Sequence, residues 1–204
     1  MINKDKTVII MDWDDTLFPT SWVNKKSINL NNPRDINKYS YIFQDLDALV
    51  AKILIKTKLN GNPLIVTNAT KKWVEMCLVV MPKTKEVLDS SINLLSARDK
   101  YQKMHNNSMK WKKETFKDLY NHFFPDTSHH QNIVSIGDAE YEHLALIELY
   151  HINYKGTNHK YLKSIRLIRN PELKTLKIQL DKLYTNLDFI INTKKHMELE
   201  FTHI

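Results

Sequence analysis

The chain has 204 residues, 42% hydrophobic and 26% charged, the make-up of one ordinary globular domain, which excludes wholesale disorder. A single cysteine, Cys77, excludes an internal disulfide and a Cys-rich zinc site. Three glycines (Gly61, Gly137, Gly156) exclude both a Walker phosphate loop and the dinucleotide glycine fingerprint. The formal charge is +7, and Lys155 to Lys182 holds eight basic residues against Glu172 and Asp181, which reads as a solvated surface or as a weak attractor of anionic membrane or nucleic acid.

The first apolar run, Val8-Ile9-Ile10-Met11, is too short for a signal-peptide core, and no later run approaches the ~20 apolar residues of a membrane span. With one thiol, the chain reads as cytoplasmic, with delivery into a host as an effector left open.

Thr7 to Met11 is a buried strand by its β-branched, apolar make-up. Residues 18–40 carry Pro19, Pro33 and several Asn and Ser without apolar periodicity, which predicts a loop or flap. From Ile42 to Leu54 the apolar positions recur at helical spacing, and Gly61 stands where a helix ends. Leu64-Ile65-Val66-Thr67 is a second strand, followed by a helix from Thr70 to Val80 that Pro82 stops. Ile92 to Leu95 predicts a third strand, and Phe116, Leu119, Tyr120 and Phe123 mark a helix. Ile133 to Ile136 is a fourth strand and Tyr141 to Tyr150 a helix. Ser164 to Ile168 is a fifth strand, and Pro171 opens the last helix, striped by Leu173, Leu176, Leu180, Leu183 and Leu187. Met197 to Phe201 reads as an added edge strand. The fold class is therefore α/β: a parallel sheet of about five strands with helices on both faces, in one domain over 1–204, residues 160–204 completing it as strand, helix and strand.

Ligands of such sheets bind beyond the carboxyl ends of the strands. The first strand ends in Asp12-Trp13-Asp14-Asp15-Thr16, and residues two apart on a strand project to one side, so Asp12 and Asp14 can face one substrate with Trp13 turned away. Two carboxylates this close repel unless they share a cation or proton, and Mg²⁺ suits such a pair with phosphate oxygens. An acidic helix cap is the plainer reading of the same residues. The second strand ends in Thr67-Asn68, the fourth in Gly137-Asp138 with Glu142 beyond, and Lys110, Lys112 and Lys113 open the helix before the fourth strand.

In that order these residues resemble the four motifs of the haloacid dehalogenase (HAD) superfamily of aspartyl-nucleophile phosphatases. Asp12-Trp13-Asp14-Asp15-Thr16 is similar to the first motif, Thr67 to the second, Lys112 in Trp111-Lys112-x-x-x-Phe116 to the third, and Gly137-Asp138 with Glu142 to the fourth. Thr67-Asn68-Ala69, Leu95 to Arg98 and Lys163 to Leu187 are similar to a HAD group of protists, large viruses and some bacterial effectors. The resemblance implies a Rossmann-like core, a phosphoric monoester hydrolase, and Mg²⁺ as cofactor. It implies Asp12 as nucleophile, Asp14 as acid and base, and Mg²⁺ held by Asp12, Asp14 and Asp138 with Glu142 behind them. It further implies phosphoryl contacts from Thr67, Asn68 and Lys112.

The intervals between these motifs are filled by the expected helices, strands and loops, which leaves no separate cap domain. Capless members of the family are often open to macromolecules, so a phosphoprotein, first of all a phosphotyrosine protein, is the expected substrate. A small phosphorylated metabolite, a nucleic-acid end, and a HAD-like module that binds acidic membranes or partners without strong catalysis are the alternatives. Trp22, Trp73 and Trp111 could stack on a substrate, although spacing favours the core for Trp73 and Trp111. Asp15 reads as a helix-start acid, Cys77 as core packing, and His129-His130 as a loop without metal spacing.

Overall fold

The computed structural model describes residues 2–125, 130–152 and 160–202. A single 3-10 turn, Lys4–Lys6, leads into β1 (Thr7–Met11). There follow α1 (Thr20–Lys25), α2 (Pro33–Asn60), β2 (Asn62–Thr67), α3 (Lys71–Leu78), α4 (Pro82–Ser91), β3 (Asn93–Ser96) and α5 (Ala97–Tyr101). The chain continues through α6 (Ser108–Phe123), β4 (Gln131–Gly137), α7 (Glu140–Glu148), β5 (Lys160–Arg166), α8 (Leu173–Asn192) and β6 (Met197–Glu200).

The strands form one sheet in the order β3-β2-β1-β4-β5-β6, and every pairing is parallel. The α/β class, the parallel sheet and the helices on both faces are as expected; the sheet has six strands instead of about five. The sixth is β6, the expected edge strand, added beside β5 by the long crossover through α8.

Strand alternation divides the core in two. Ile9, Met11, Ile65, Val134, Ile136 and Ile165 point to one face, under Phe43, Leu46 and Val50 of α2 and Leu176, Leu180 and Leu183 of α8. Val8, Ile10, Leu64, Val66, Ile133 and Leu162 point to the other, under Phe116 and Tyr120 of α6 and Leu146 of α7. Because both faces are covered, β1 is buried along its whole length. Its carboxyl end, where Asp12 begins, is thereby fixed between β2 and β4.

Several expected boundaries are corrected. Residues 18–40 are not a loop or flap: α1 occupies 20–25, and α2 begins at Pro33 rather than near Ile42. The reason is that Pro33 takes the first helical position, where its missing N–H costs nothing, while Asn32 Oδ1 caps the Arg34 amide at 3.0 Å. The segment is also held down: Trp22, Val23, Ile28 and Leu30 are buried, and Trp22 meets Phe43 edge-on with centroids 6.3 Å apart. Pro82 likewise starts α4 instead of stopping α3, which already ends at Leu78, and Asp47 of α2 accepts from the Lys83 and Thr84 amides at 2.9 and 2.7 Å. The short α5 was not foreseen, and α8 begins two residues after Pro171, at Leu173. Among the described residues no helix is long and apolar enough to cross a membrane.

Candidate active site

At the end of β1 the chain turns sharply: the amides of Leu17 and Phe18 both return to the Trp13 carbonyl at 2.9 Å. Trp13 is fully buried and stacks on Phe18, so it faces the core while its two neighbours face the sheet edge. Asp12 is tied to the next strand through its amide, which donates to Ile136 O of β4 at 2.9 Å.

Lys112 approaches Asp12 from the first turn and a half of α6. Its side chain is wholly buried, and its Nζ donates to Asp12 Oδ1 at 2.7 Å, Glu142 Oε1 at 2.8 Å and Val66 O at 2.6 Å. All three ammonium protons are thus used. Burial pulls the ammonium down, but Asp12 and Glu142 together outweigh it and leave Lys112 above its ordinary value. The two rival lysines stand elsewhere: Lys110 is exposed, and Lys113 pairs with Glu148.

Glu142 holds its place through the N-terminus of α7, where its other oxygen accepts from the Ala139 amide at 3.1 Å. It lies so close to the end of β4 that a Cβ on Gly137 would fall 2.6 Å from Glu142 Cγ. Gly137 is therefore required for close approach.

Asp14 is gripped on both oxygens. Oδ1 accepts from Trp73 Nε1 at 2.8 Å and from the Thr20 hydroxyl; Oδ2 accepts from Thr67 Oγ1 at 3.3 Å. Thr67 Oγ1 in turn accepts from the Ala69 amide at 2.9 Å. Asn68 is half-buried, and its side chain donates to Ser108 O, tying the end of β2 to the start of α6. Asp15 adopts a left-handed φ of 53° and accepts from the amide of Ser21 at 2.8 Å and from its hydroxyl. It does serve the start of a helix, α1, as expected.

The carboxylates crowd one another. Burial, then Glu142, Asp138 and Asp14, raise Asp12 well above the carboxylate range, against the pull of Lys112. Asp138 is pushed up to about 7 by burial, then by Glu142 and Asp15. Tyr141, in the first turn of α7, has its hydroxyl raised by burial and then by Asp12, Glu142 and Asp138. Among the described residues no three Asp, Glu, His or Cys groups form a ready metal cage. Asp12 and Asp138, which repel across the strand ends, are the carboxylates here that could hold a hard divalent ion, and Lys112 is the cation that both feel.

Asp12, Asp14, Thr67, Lys112, Asp138 and Glu142 are therefore brought together at one sheet edge. Asn68 is adjacent, with its side chain turned to α6 instead of inward. Thr20 and Tyr141 were missed as neighbours of the site, and Trp73, expected in the core, is half-buried with its indole on Asp14. Trp73 follows the second strand by one helical turn, which puts it on the same edge, and that spacing was the available signal. Trp22 and Cys77 are buried and Trp111 spends its indole on His105 O, as core or near-core residues.

The basic stretch does not form one face. Lys160 and Lys163 are buried, Arg166 pairs with Glu198 and Glu200, and Lys177 pairs with Asp45. Arg169, Lys174 and Lys182 are exposed, while Lys155 and the other residues of 153–159 lie outside the described residues, as does His129. His130 stacks on Tyr161.

Comparison of the chain with family models, with curated proteins and with solved structures finds no match.

Proposed function

We propose that the protein is a phosphomonoesterase of HAD type that works through an aspartyl-phosphate. The observation that carries this reading is the buried contact between Lys112 and Asp12 inside a ring of carboxylates at the carboxyl ends of β1, β2 and β4. A buried lysine bonded to one oxygen of an aspartate, with further acids repelling it, is a costly arrangement for stability alone. An incoming phosphoryl group with a divalent cation would make use of it.

Lys112 holds Oδ1 of Asp12, which leaves Oδ2 to attack phosphorus. As that bond forms, the bond from phosphorus to the leaving oxygen breaks, and Asp14 gives that oxygen a proton. Asp14 then takes a proton from water, whose oxygen attacks phosphorus as the bond from phosphorus to Asp12 Oδ2 breaks, which releases inorganic phosphate and restores the Asp12 carboxylate. Thr67 and the Asn68 amide, at the end of β2, would hold phosphoryl oxygens, and Lys112 would offset their charge. Asp12, the Asp14 carbonyl and Asp138 are the groups that would hold Mg²⁺. When bound, it would keep the carboxylates ionised and neutralise phosphoryl charge.

The substrate proposed is a phosphoprotein, with phosphotyrosine first. The support is that the site residues stand on strand ends of one sheet, beside the half-exposed ring of Trp73. The test is release of phosphate from p-nitrophenyl phosphate in MgCl₂ and in EDTA, followed by a phosphopeptide panel. Turnover should require Mg²⁺ and vanish in Asp12→Asn, an isosteric change that leaves an acceptor for Lys112. An Asp12→Asn protein as active as the wild type would refute the nucleophile.

A further inference from the structure

Trp73 is unlike the other tryptophans. Trp13 and Trp22 are buried, and Trp111 donates to a backbone carbonyl, whereas Trp73 is half-exposed and donates to the Asp14 carboxylate at 2.8 Å. Its direction is fixed from two sides. Thr70 caps the Trp73 amide at 3.2 Å, and the indole packs edge-on against Phe18, with centroids 6.2 Å apart and planes at 83°. Phe18 is itself held in a stack between Trp13 and Phe43.

An indole N–H donates and never accepts. The hydroxyl of Thr20, which meets the same Oδ1, can turn to reverse its role, but Trp73 cannot. Trp73 and Thr20 together hold Oδ1 as an acceptor, which leaves Oδ2 as the oxygen turned away from the indole. That oxygen lies on the side of Thr67, whose Oγ1 is 3.3 Å away at the end of β2.

We infer that Trp73 is a positioning residue for proton transfer: it reserves Oδ1 of Asp14 as acceptor, so that Oδ2 delivers the proton to the leaving oxygen. The inference rests on the phosphatase reading above. In the first step the proton passes from Asp14 Oδ2 to the leaving oxygen as the phosphorus–oxygen bond breaks. In the second, a proton from the attacking water returns to Oδ2. Trp73 keeps its own proton throughout.

The test compares two esters. An alkyl phosphate needs its leaving oxygen protonated, while p-nitrophenolate leaves almost unaided. Trp73→Phe should lower kcat on the alkyl ester roughly 30-fold, the scale of a misplaced catalytic group, with p-nitrophenyl phosphate down about threefold at most and KM little changed. Trp73→His, which can present an imidazole N–H, should recover part of the alkyl-ester rate. Equal losses on the two esters, or no recovery with histidine, overturn the inference while leaving the phosphatase standing. A wild-type protein inert towards both esters overturns the phosphatase and the inference with it. Should Trp73→Phe fail to fold, the indole proton gives a second reading by NMR. Its Trp73 resonance should shift in Asp14→Ala while those of Trp22 and Trp111 stay in place, and an unmoved Trp73 signal overturns the bond.

Discussion

Lys112 Nζ sits 2.7 Å from Asp12 Oδ1 with both side chains withdrawn from water. Removing the ammonium leaves Asp12 and Glu142 buried, facing each other without a cation. Lys112→Met should therefore cost about 3–5 kcal/mol in urea denaturation, the range for breaking a buried pair from one side. Lys113→Ala breaks only the half-buried pair with Glu148, still in contact with water, and should cost about 1 kcal/mol at most. Glu142→Gln added to Lys112→Met should be less than additive, because the two residues share one contact. Similar costs for the two lysines would mean that Lys112 is not the residue that balances the site.

Gly137→Ala tests the wall behind that contact. Its new methyl would lie 2.6 Å from Glu142 Cγ and 2.9 Å from Cδ. Glu142 is pinned through both oxygens, to Lys112 and to the Ala139 amide, so it cannot swing away freely. The substitution should destabilise by about 1–3 kcal/mol, as overpacking does, and should reduce turnover through the displaced Lys112. Glu142→Ala, which removes both atoms that the methyl meets, should relieve the overpacking. Wild-type stability in Gly137→Ala would show that the loop after β4 can give.

Cation binding can be measured without any substrate. Asp12 and Asp138 repel each other at the strand ends, so a divalent ion held there should stabilise the folded chain. Thermal unfolding in millimolar MgCl₂ should occur at higher temperature than in EDTA at equal ionic strength. Asp138→Asn should abolish most of that rise and should unfold later than the wild type in EDTA, since it removes the repulsion. An Mg²⁺ response that survives in Asp138→Asn would place the ion elsewhere.

Much of this arrangement is legible in the chain because a buried parallel strand leaves a continuous apolar run, and its carboxyl end has to carry the polar residues. Val8 to Met11 followed by Asp12, and Leu64 to Val66 followed by Thr67, display that rule directly. Pro33 and Pro82 misled for a physical reason: proline breaks a helix in its interior but opens one at its first position, and a local pattern does not separate the two. Residues 18–40 lacked periodicity because Trp22 on the short α1 and Ile28 and Leu30 on the connection to α2 reach the core from separate short segments and not along one helical face. Thr20 escaped notice, and Trp73 was assigned to the core, because their partner, Asp14, is across a turn or distant in sequence and the closed fold sets them on its oxygens.

Lys163 offers a pH test outside the candidate site. It lies on β5, fully buried, and its Nζ donates to Ile191 O at 2.6 Å, one of the last carbonyls of α8. Such carbonyls lack helical partners and favour a positive charge. Burial nonetheless wins and lowers the ammonium from 10.5 to about 8. Between these two values the unfolded chain keeps a proton that the folded chain has released. Stability from this group therefore rises with pH across that window, and below it the full cost of the buried charge is present. Lys163→Met abolishes the effect together with the hydrogen bond. The wild type should gain on the variant in urea midpoint from pH 8 to pH 10, while the difference stays flat from pH 6 to pH 7. Measuring the difference cancels the other lysines and tyrosines that titrate in the same range. A difference that is flat throughout would mean that Lys163 keeps its proton in the folded state, held by Ile191 against the pull of burial.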